Sequence, residues 1–261
     1  MRNEAAVKGR RALVTGAAVG IGRATVEKLS AAGWDVVFTY RTSHEAAQDL
    51  VSRLGVVARR VDLSSREETL QFAEQIRDEF EFGALVNNAG AFALQPVGRL
   101  GLETWDRTFE VNVTAPLILT QMLSERMASG SSVVNVSSID HRGSFSSYAY
   151  SASKAALLSV TQSLANLYGE SGIRVNAVLP GWVDTGMSTP EALTAGEVAP
   201  LKRNATANEV ATVVEFLLGE NSSFITGASI TVDGGYSGVD PIMRQEYENL
   251  RASWSIRTPR E

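Results

Sequence analysis

Residues 12–29 read ALVTGAAVGIGRATVEKL, which is an apolar run, a glycine-rich turn and an amphipathic segment in succession. This order is typical of a buried β-strand that leads into an α-helix. Glycines at such a turn let the backbone approach a pyrophosphate closely, and the helix N-terminus supplies free N–H groups and the positive end of the helix dipole. The spacing is G-x-x-x-G-x-G, whereas many dinucleotide sites have G-x-G-x-x-G. The turn therefore indicates either a phosphate loop or a tight connection that binds nothing.

Short apolar runs and longer amphipathic runs continue to alternate along the chain. Several short runs are nearly continuous in apolar residues, as in strands buried on both faces of a parallel sheet. Predicted strands cover residues 12–15, 36–39, 56–61, 84–86, 132–136, 174–178 and 229–232, and predicted helices cover residues 21–32, 44–54, 66–80, 103–128, 148–170 and 207–218. We therefore expect one α/β domain over residues 1–261, with a doubly wound Rossmann-type parallel sheet of about seven strands and helices on both faces.

The composition argues against several classes of protein. The 261-residue chain has a formal net charge of −5, which disfavours a general nucleic-acid binder. It has no cysteine and two histidines, so we expect neither a disulfide framework nor a metal centre. The first ten residues lack the apolar core of a signal peptide, and no apolar run approaches the length of a membrane span. We expect a cytoplasmic protein with no metal, no nucleic-acid partner and no membrane partner.

Tyr150 and Lys154 stand four residues apart at the start of an Ala- and Leu-rich run that is predicted to be helical. Residues i and i+4 share one face of a helix, so the phenol and the ammonium should point into the same space. A tyrosine hydroxyl with a pKa of about 10 is a poor acid at neutral pH. A neighbouring positive charge favours the phenolate, so we expect Lys154 to lower the pKa of Tyr150 and to make it a proton donor for a carbonyl under reduction.

Other motifs accompany this pair in a characteristic order. They are T-G-x-x-x-G-I-G at 15–22, N-N-A-G at 87–90, P-G at 180–181 after V-N at 175–176, and V-D-G-G at 232–235. With Y-x-x-x-K at 150–154, they make the chain resemble the short-chain dehydrogenase/reductase family over about residues 8–238. The subgroup most similar to it is the compact one that includes 3-oxoacyl-carrier-protein reductases and many ketoreductases. The resemblance implies a nicotinamide cofactor and hydride transfer between that cofactor and a small-molecule carbonyl.

In that family a Ser, a Tyr, a Lys and an Asn act together, and the resemblance assigns these roles to Ser138, Tyr150, Lys154 and Asn112. It implies that the Ser holds the substrate carbonyl, the Tyr exchanges a proton with the substrate oxygen, the Lys binds the nicotinamide ribose, and the Asn holds a water that links the Lys to solvent. The family usually places the Tyr one residue further from the Ser than the twelve positions between Ser138 and Tyr150, a spacing that Ser137 restores. Ser138 is favoured because it ends the N-x-S-S pattern, and Ser137 is the alternative.

The residues after the second predicted strand indicate which dinucleotide is bound. An acidic residue at this place binds the 2′-hydroxyl of NAD, whereas an Arg accommodates the 2′-phosphate of NADP. Here Tyr40 stands where an Asp would mark NAD, and Arg41 follows, so we predict NADP(H) unless Arg41 is only a solvated loop cation. The expected cofactor contacts are Gly16, Gly20, Ile21, Gly22, Tyr40, Arg41, Thr42, Ser43, Asp62, Leu63, Asn88, Ala89, Gly90, Tyr150, Lys154, Pro180, Gly181, Val183 and Thr185.

The sequence says less about the substrate. Candidate contacts are Phe92, Asp140, His141, Trp182 and Met187, and residues 185–201 are expected to form a mobile substrate loop. The Asp–His pair directly follows the proposed catalytic serine and is interpreted either as a site for a polar or cationic substrate group or as a surface ion pair. The main hypothesis is an NADPH-dependent carbonyl reductase. An imine reductase or another reaction on the same fold, and a catalytically silent dinucleotide sensor, are the alternatives.

Two further features predict additional contacts. The helices at 103–128 and 148–170 carry apolar residues on more than one face, so we expect a homo-oligomer, and by the resemblance a homotetramer. Residues 240–261 form a C-terminal extension in which Met243, Tyr247, Leu250 and Trp254 follow a helical spacing. We expect this helix to bury its apolar face on the substrate-cleft side and narrow the substrate range. The alternative is that it packs on a distant surface.

Overall fold

The computed structural model describes residues 10–94, 101–144, 146–185 and 195–253 of the chain. Within these ranges seven strands form one parallel sheet, and two short strands, β7 (Val183–Asp184) and β8 (Ala205–Thr206), pair with each other. The sheet strands are β1 (Arg11–Val14), β2 (Asp35–Tyr40), β3 (Val57–Arg60), β4 (Ala84–Asn87), β5 (Ser132–Val136), β6 (Arg174–Pro180) and β9 (Ser229–Val232). Their order across the sheet is β3-β2-β1-β4-β5-β6-β9, which confirms the predicted doubly wound parallel sheet.

Helices cover both faces of the sheet. They are α1 (Gly20–Ala31), α2 (His44–Leu54), α3 (Arg66–Glu79), α4 (Leu102–Phe109), α5 (Ala115–Ser124), α6 (Tyr148–Tyr168), α7 (Ala207–Leu218) and α8 (Pro241–Ser253). Local signals fix several of their ends. Thr206 and Glu209 form a reciprocal capping box at the start of α7, and Gly55 ends α2 in the left-handed region with φ of 68°.

Alternate residues along each central strand pack into opposite apolar layers, so both faces of the sheet are covered and the sheet is held rigidly between them. Val14 packs in the layer covered by α1, α2 and α7, whereas Leu13 packs in the layer covered by α3, α5 and α6. All residues of β4, β5 and β6 are buried, as expected for strands covered on both faces.

The long helix that was predicted over residues 103–128 is interrupted. A π-helical turn at Glu110–Thr114 separates α4 from α5, and α5 ends at Ser124. Pro116 explains the irregularity, because a proline has no N–H to donate to the carbonyl four residues earlier, at Asn112. The backbone N–H of Ala115 instead donates to the carbonyl of Glu110. The π turn places Asn112 at the end of the sheet where the site lies.

The C-terminal extension contains the predicted helix, but its apolar face lies open in the single chain. Met243 is 68% exposed and Tyr247 is 60% exposed. The predicted burial of this face is therefore not met within one chain, and Trp254 lies outside the described residues. Across the described ranges, no helix combines the length and the apolar content needed to span a membrane.

Candidate active site

The carboxyl ends of the parallel strands bring the predicted motifs to one edge of the sheet. The strand order reverses between β1 and β4, so the loops after these two strands diverge and leave a crevice between them. Gly16 follows β1, Arg41 follows β2, Asp62 follows β3, Gly90 follows β4 and Ser138 follows β5. Residues that are distant in sequence are therefore neighbours at the switch point.

The glycine-rich turn has the backbone that a phosphate loop needs. Gly16 and Gly20 have φ of 62° and 61°, a region that side-chain-bearing residues rarely adopt. A Cβ atom on Gly16 would lie 2.8 Å from the Cα of Ala89, so the loops after β1 and β4 are in close contact. α1 begins at Gly20 with no side-chain cap and no acidic residue in its first turn. Its first N–H groups and positive dipole end therefore remain available to an anion.

Two residues predicted to contact the cofactor, Gly22 and Asn88, instead stabilise the glycine-rich turn itself. A Cβ atom on Gly22 would lie 2.5 Å from Nδ2 of Asn88 and 2.7 Å from the Cα of Ala17, so this glycine is needed for packing. The Asn88 side chain donates to the carbonyls of Thr15 and Gly16 at 2.9 and 3.1 Å. Asn88 therefore holds the glycine-rich turn in place by bonds to its backbone.

A cavity of about 350 Å³ occupies the crevice beside the loop. The predicted residues that line it are Gly16, Tyr40, Arg41, Asp62, Leu63, Ala89, Gly90 and Phe92. Its opposite wall comes from α4 and the π turn, through Thr104, Arg107, Thr108 and Val111. The cavity thus joins the ends of β1, β2, β3 and β4 to one helical face.

Charged groups are concentrated at the outer end of this cavity. Nη1 of Arg41 lies 4.0 Å from a carboxyl oxygen of Asp62, and the Arg41 side chain is 44% exposed. Burial raises the pKa of Asp62, but hydrogen bonds from Ser64 and the charges of Arg41 and Arg107 outweigh it and leave that pKa below its ordinary value. Asp62 is therefore a carboxylate at neutral pH, and Arg41 keeps an accessible guanidinium.

Tyr40, Thr42 and Ser43, which are also predicted to contact the cofactor, make contacts with the start of α2. The Tyr40 hydroxyl lies 3.0 Å from Nδ1 of His44, and Ser43 stands before α2 without a side-chain capping bond. The Thr42 carbonyl accepts the His44 N–H at 2.9 Å. The residues next to Arg41 therefore fix the start of α2 and the position of the Tyr40 ring.

The Ser138 side chain lies close enough to the Tyr150 hydroxyl to lower its pKa by hydrogen bonding. The Ser138 oxygen also accepts the backbone N–H of Asp140 at 3.1 Å. Ser137 is turned away, because its hydroxyl donates to the carbonyl of Lys154 at 3.0 Å. The structure therefore places Ser138, rather than Ser137, beside the tyrosine.

Lys154 is almost fully buried beneath the tyrosine. Its Nζ donates to the carbonyl of Val136 at 2.7 Å and lies 5.5 Å from the centre of the Tyr150 ring. A Cβ atom on Gly90 would lie 3.8 Å from this Nζ and 3.7 Å from Oδ1 of Asn112. The loop after β4 therefore runs directly past both side chains.

The Asn112 amide fixes that loop. Its oxygen accepts the Ala91 N–H at 2.7 Å, and its nitrogen donates to the Ala91 carbonyl at 3.0 Å and to the Ser153 hydroxyl at 2.9 Å. Because Ser153 lies on α6 between Tyr150 and Lys154, Asn112 ties the loop to α6. Its side chain acts here as a clamp between two elements.

The expected lowering of the Tyr150 pKa is wrong for this chain. Burial raises the pKa of Tyr150 to about 12, although a hydrogen bond with Ser138 opposes the rise and Asp140 adds to it. The tyrosine as a whole is half-buried, but its hydroxyl is enclosed by protein. Burial lowers the pKa of Lys154 to about 8. At pH 7 the pair is therefore a neutral phenol beside a mostly charged ammonium.

The predicted substrate residues lie partly around this pair. The Phe92 ring meets the Tyr150 ring edge-on with centres 5.2 Å apart, and Phe92 is 58% exposed. Asp140 and His141 lie in a short 3₁₀ turn, Ile139–Arg142, directly after Ser138. Trp182 follows β6 at the same edge and is 43% exposed. Met187 lies outside the described residues.

The remaining predicted contacts lie at the end of β6. Pro180 is its last residue, and a Cβ atom on Gly181 would lie 2.7 Å from the Cβ of Asp233. Val183 begins β7, and the Thr185 side chain would lie 3.5 Å from a Cβ atom on Gly20. Thr185 therefore reaches the glycine-rich turn. Ile21 lies in the first turn of α1 and packs on the apolar layer behind it.

A family model described as Enoyl-(Acyl carrier protein) reductase matches residues 16–237 of the chain. A 3-oxoacyl-[acyl-carrier-protein] reductase of Aquifex aeolicus is 35% identical over 251 residues, covering 89% of this chain and 99% of its own length. The chain belongs to the short-chain dehydrogenase/reductase family. The predicted resemblance is confirmed.

Solved structures of the family superimpose closely on this chain. A blue fluorescent protein from a metagenomic library, in complex with NADPH, is 36% identical with a TM-score of 0.82, covering 88% of this chain and 98% of its own. A short-chain dehydrogenase from Burkholderia cenocepacia, in complex with NADP, is 33% identical with a TM-score of 0.84, covering 88% and 99%. Both proteins are family members bound to a phosphorylated dinucleotide.

Sequence reasoning missed the α4 wall of the cavity in this family member. Thr104, Arg107, Thr108 and Val111 are spaced by three, one and three residues, which is one face of a helix. The spacing was visible in the sequence. What the sequence did not reveal is that this face looks toward the ends of β2 and β3, because that depends on how α4 packs across the sheet.

Proposed function

We propose that this protein is an NADP(H)-dependent oxidoreductase that reduces the carbonyl group of a small molecule. The observation that carries the proposal is the Tyr150 hydroxyl beside Ser138 and above the buried Lys154, with the loop after β4 running from Lys154 to the glycine-rich turn. The Tyr150 phenol keeps its proton at neutral pH because its pKa is about 12. The alkoxide that forms when a carbonyl gains a hydride is more basic than a phenolate, so it would take this proton. The reductase and the nicotinamide-bound proteins among its relatives support this reading.

The residues present fit a bound NADP(H). The unguarded start of α1 and the close-packed Gly16 suit a pyrophosphate, and the accessible Arg41 suits a 2′-phosphate by charge and by its forked geometry. Asp62 and Leu63 line the same cavity and would contact the adenine. The cofactor supplies the hydride when it is bound.

The chain's own residues would carry the proton and hold the substrate. Ser138 would donate a hydrogen bond to the substrate carbonyl, and Tyr150 would give its proton to the oxygen as the alcohol forms. The Lys154 ammonium would stabilise the resulting tyrosinate and contact the nicotinamide ribose. Asn112 would keep the loop after β4 in register with α6 and support proton resupply to Lys154.

Replacement of the proton donor tests the proposal. Tyr150→Phe should lower kcat at least ~100-fold, the usual scale for loss of a general acid, and should leave NADPH binding intact. Ser138→Ala should cause a similar loss, whereas Ser137→Ala should cost little turnover, because the Ser137 hydroxyl is bonded to a backbone carbonyl. NADPH oxidation with a panel of ketones, carrier-bound 3-oxoacyl thioesters and cyclic imines is the assay. Near-normal turnover by Tyr150→Phe would exclude this mechanism, and turnover of imines alone would change the reaction.

A further inference from the structure

A carboxyl group without a charged partner stands next to the proposed catalytic serine. The backbone N–H of Asp140 donates to the Ser138 hydroxyl at 3.1 Å, and that hydroxyl in turn contacts Tyr150. Asp140 is half-buried, and its charge acts on the Tyr150 hydroxyl. Asp140 is therefore joined through its backbone to the proposed catalytic serine, and its charge acts where a substrate carbonyl would be reduced.

The cationic residues around Asp140 are engaged elsewhere. Nδ1 of His141 lies 2.9 Å from the Ser138 carbonyl, which only accepts, so this nitrogen carries the proton and donates it. Arg142 donates to the Ser237 carbonyl at 3.1 Å, and Lys154 donates to the Val136 carbonyl. Within the described ranges, no residue forms an ion pair with the Asp140 carboxyl. The predicted surface ion pair between Asp140 and His141 is thus replaced by a bond from His141 to the backbone.

Burial without a partner is unfavourable for a carboxylate. Burial raises the pKa of Asp140, and His141 only partly opposes this effect. A cation that approached the carboxyl would offset the cost of its partial burial. The Phe92 ring packs edge-on against Tyr150 and remains 58% exposed, so it offers an aromatic face to an ammonium group of a substrate bound at Tyr150.

We propose that Asp140 selects one class of substrate, ketones that carry an ammonium group near the carbonyl. The inference rests on the proposed function and adds the charge of the substrate. Asp140 would bind the ammonium, and Phe92 would cover it, while the carbonyl oxygen points to Ser138 and Tyr150. The carbonyl carbon gains a hydride from NADPH and its oxygen gains the Tyr150 proton, which yields an amino alcohol and NADP⁺. The ammonium group is unchanged in the reaction.

A pair of isosteric ketones isolates this interaction. Acetonyltrimethylammonium and 4,4-dimethylpentan-2-one differ in a quaternary nitrogen that replaces a carbon, so one is always cationic and the other is neutral. The measured quantity is the ratio of kcat/KM for the cationic ketone to that for the neutral one. Comparing this ratio between proteins cancels the different intrinsic reactivity of the two ketones and any general effect on Tyr150.

Asp140→Asn keeps the shape of the side chain and removes its charge. We expect the ratio to fall about 10- to 100-fold, the range for loss of an interaction with a charged group. Glu170→Gln is the matched control, because Glu170 is exposed beyond the C-terminal end of α6, at the opposite edge of the sheet, and its ratio should equal that of the wild type. An unchanged ratio in Asp140→Asn, with both ketones turned over, would overturn the inference and leave the proposed function intact.

If neither ketone is reduced, a binding measurement distinguishes the cation site from the carbonyl-reductase proposal. Calorimetric titration of NADP⁺-loaded protein with acetonyltrimethylammonium should give an affinity that falls at least about tenfold in Asp140→Asn and stays unchanged in Glu170→Gln. If the cation binds in this way but neither ketone is reduced, the carbonyl-reductase proposal is wrong and the cation site stands. Equal binding by the wild type and Asp140→Asn would overturn the cation site whatever the turnover.

Discussion

Replacing Lys154 with Met should stabilise the folded protein at neutral pH, or leave its stability unchanged, while abolishing activity. Lys154 is buried, and burial lowers its pKa from the ordinary 10.5 to about 8. One pKa unit corresponds to about 1.4 kcal/mol, so holding this ammonium in the folded state costs roughly 3 kcal/mol below pH 8. Met has a similar length and no charge. The lysine is therefore retained at the expense of stability, as expected for a functional group.

The lysine also makes one contact that the variant loses. Its Nζ donates to the Val136 carbonyl at 2.7 Å, and a buried carbonyl without a donor costs about 1–3 kcal/mol. At pH 7 the two effects leave Lys154→Met more stable than the wild type by roughly 0–2 kcal/mol. At high pH the wild-type lysine is neutral and keeps its hydrogen bond. The variant is then less stable than the wild type, because its Val136 carbonyl lacks a donor.

The change with pH is therefore the quantity to measure. Between pH 8 and 10.5 the unfolded wild type binds more protons than the folded wild type, so wild-type stability rises with pH, and the variant lacks this rise. The difference in free energy of unfolding, variant minus wild type, should fall by roughly 2–3 kcal/mol between pH 7 and pH 10. Reduction activity of the wild type should decline above pH 8 as the ammonium is lost.

Urea unfolding at fixed protein concentration and at the two pH values measures this difference, because other groups titrate in both proteins and cancel. Lys202→Met is the matched control, since the Lys202 side chain is exposed, and its difference from the wild type should change little with pH. If the difference for Lys154→Met stayed constant within about 0.5 kcal/mol, Lys154 would not be a desolvated ammonium, and the electrostatic account of the pair would be wrong.

Three further predictions concern the cofactor, the assembly and the C-terminal extension. Arg41→Ala should weaken NADPH binding about tenfold or more relative to NADH in a fluorescence titration, since a charge-assisted bond to the 2′-phosphate is lost; equal weakening would show that Arg41 does not contact that phosphate. Light scattering at micromolar concentration should give the mass of a homotetramer, because apolar residues such as Leu117 and Met243 are 38% and 68% exposed in the single chain; a monomeric mass would contradict this. Truncation after Gly238 should alter KM, because it removes Arg244 on α8, which donates to the carbonyl of Val198 within the predicted substrate loop; unchanged KM and kcat in a truncated protein of the same assembly state would place the extension outside the site.

Local patterns were sufficient for the fold and for the main motifs. Buried strands need continuous apolar runs and covering helices need amphipathic ones, so the alternation of the two predicts the parallel sheet that is observed. The glycine-rich turn and the i, i+4 spacing of Tyr150 and Lys154 are likewise short-range features. Both could be predicted from the sequence because each depends on a single turn or a single helix. The structure places both at the same edge of the sheet.

Properties that depend on the surroundings of a side chain, such as its pKa and its hydrogen-bond partners, were determined only by the tertiary structure. The direction of the Tyr150 pKa shift reversed, because burial of the hydroxyl outweighs its hydrogen bonding with Ser138, and burial is a property of the packed chain. Ser138 was distinguished from Ser137 by which hydroxyl faces the tyrosine and which faces the Lys154 carbonyl. The isolated carboxyl of Asp140 emerged only once His141 and Arg142 were seen bonded to the backbone. A sequence determines which groups are present and their local spacing, whereas desolvation and partner choice come from elements brought together across the fold.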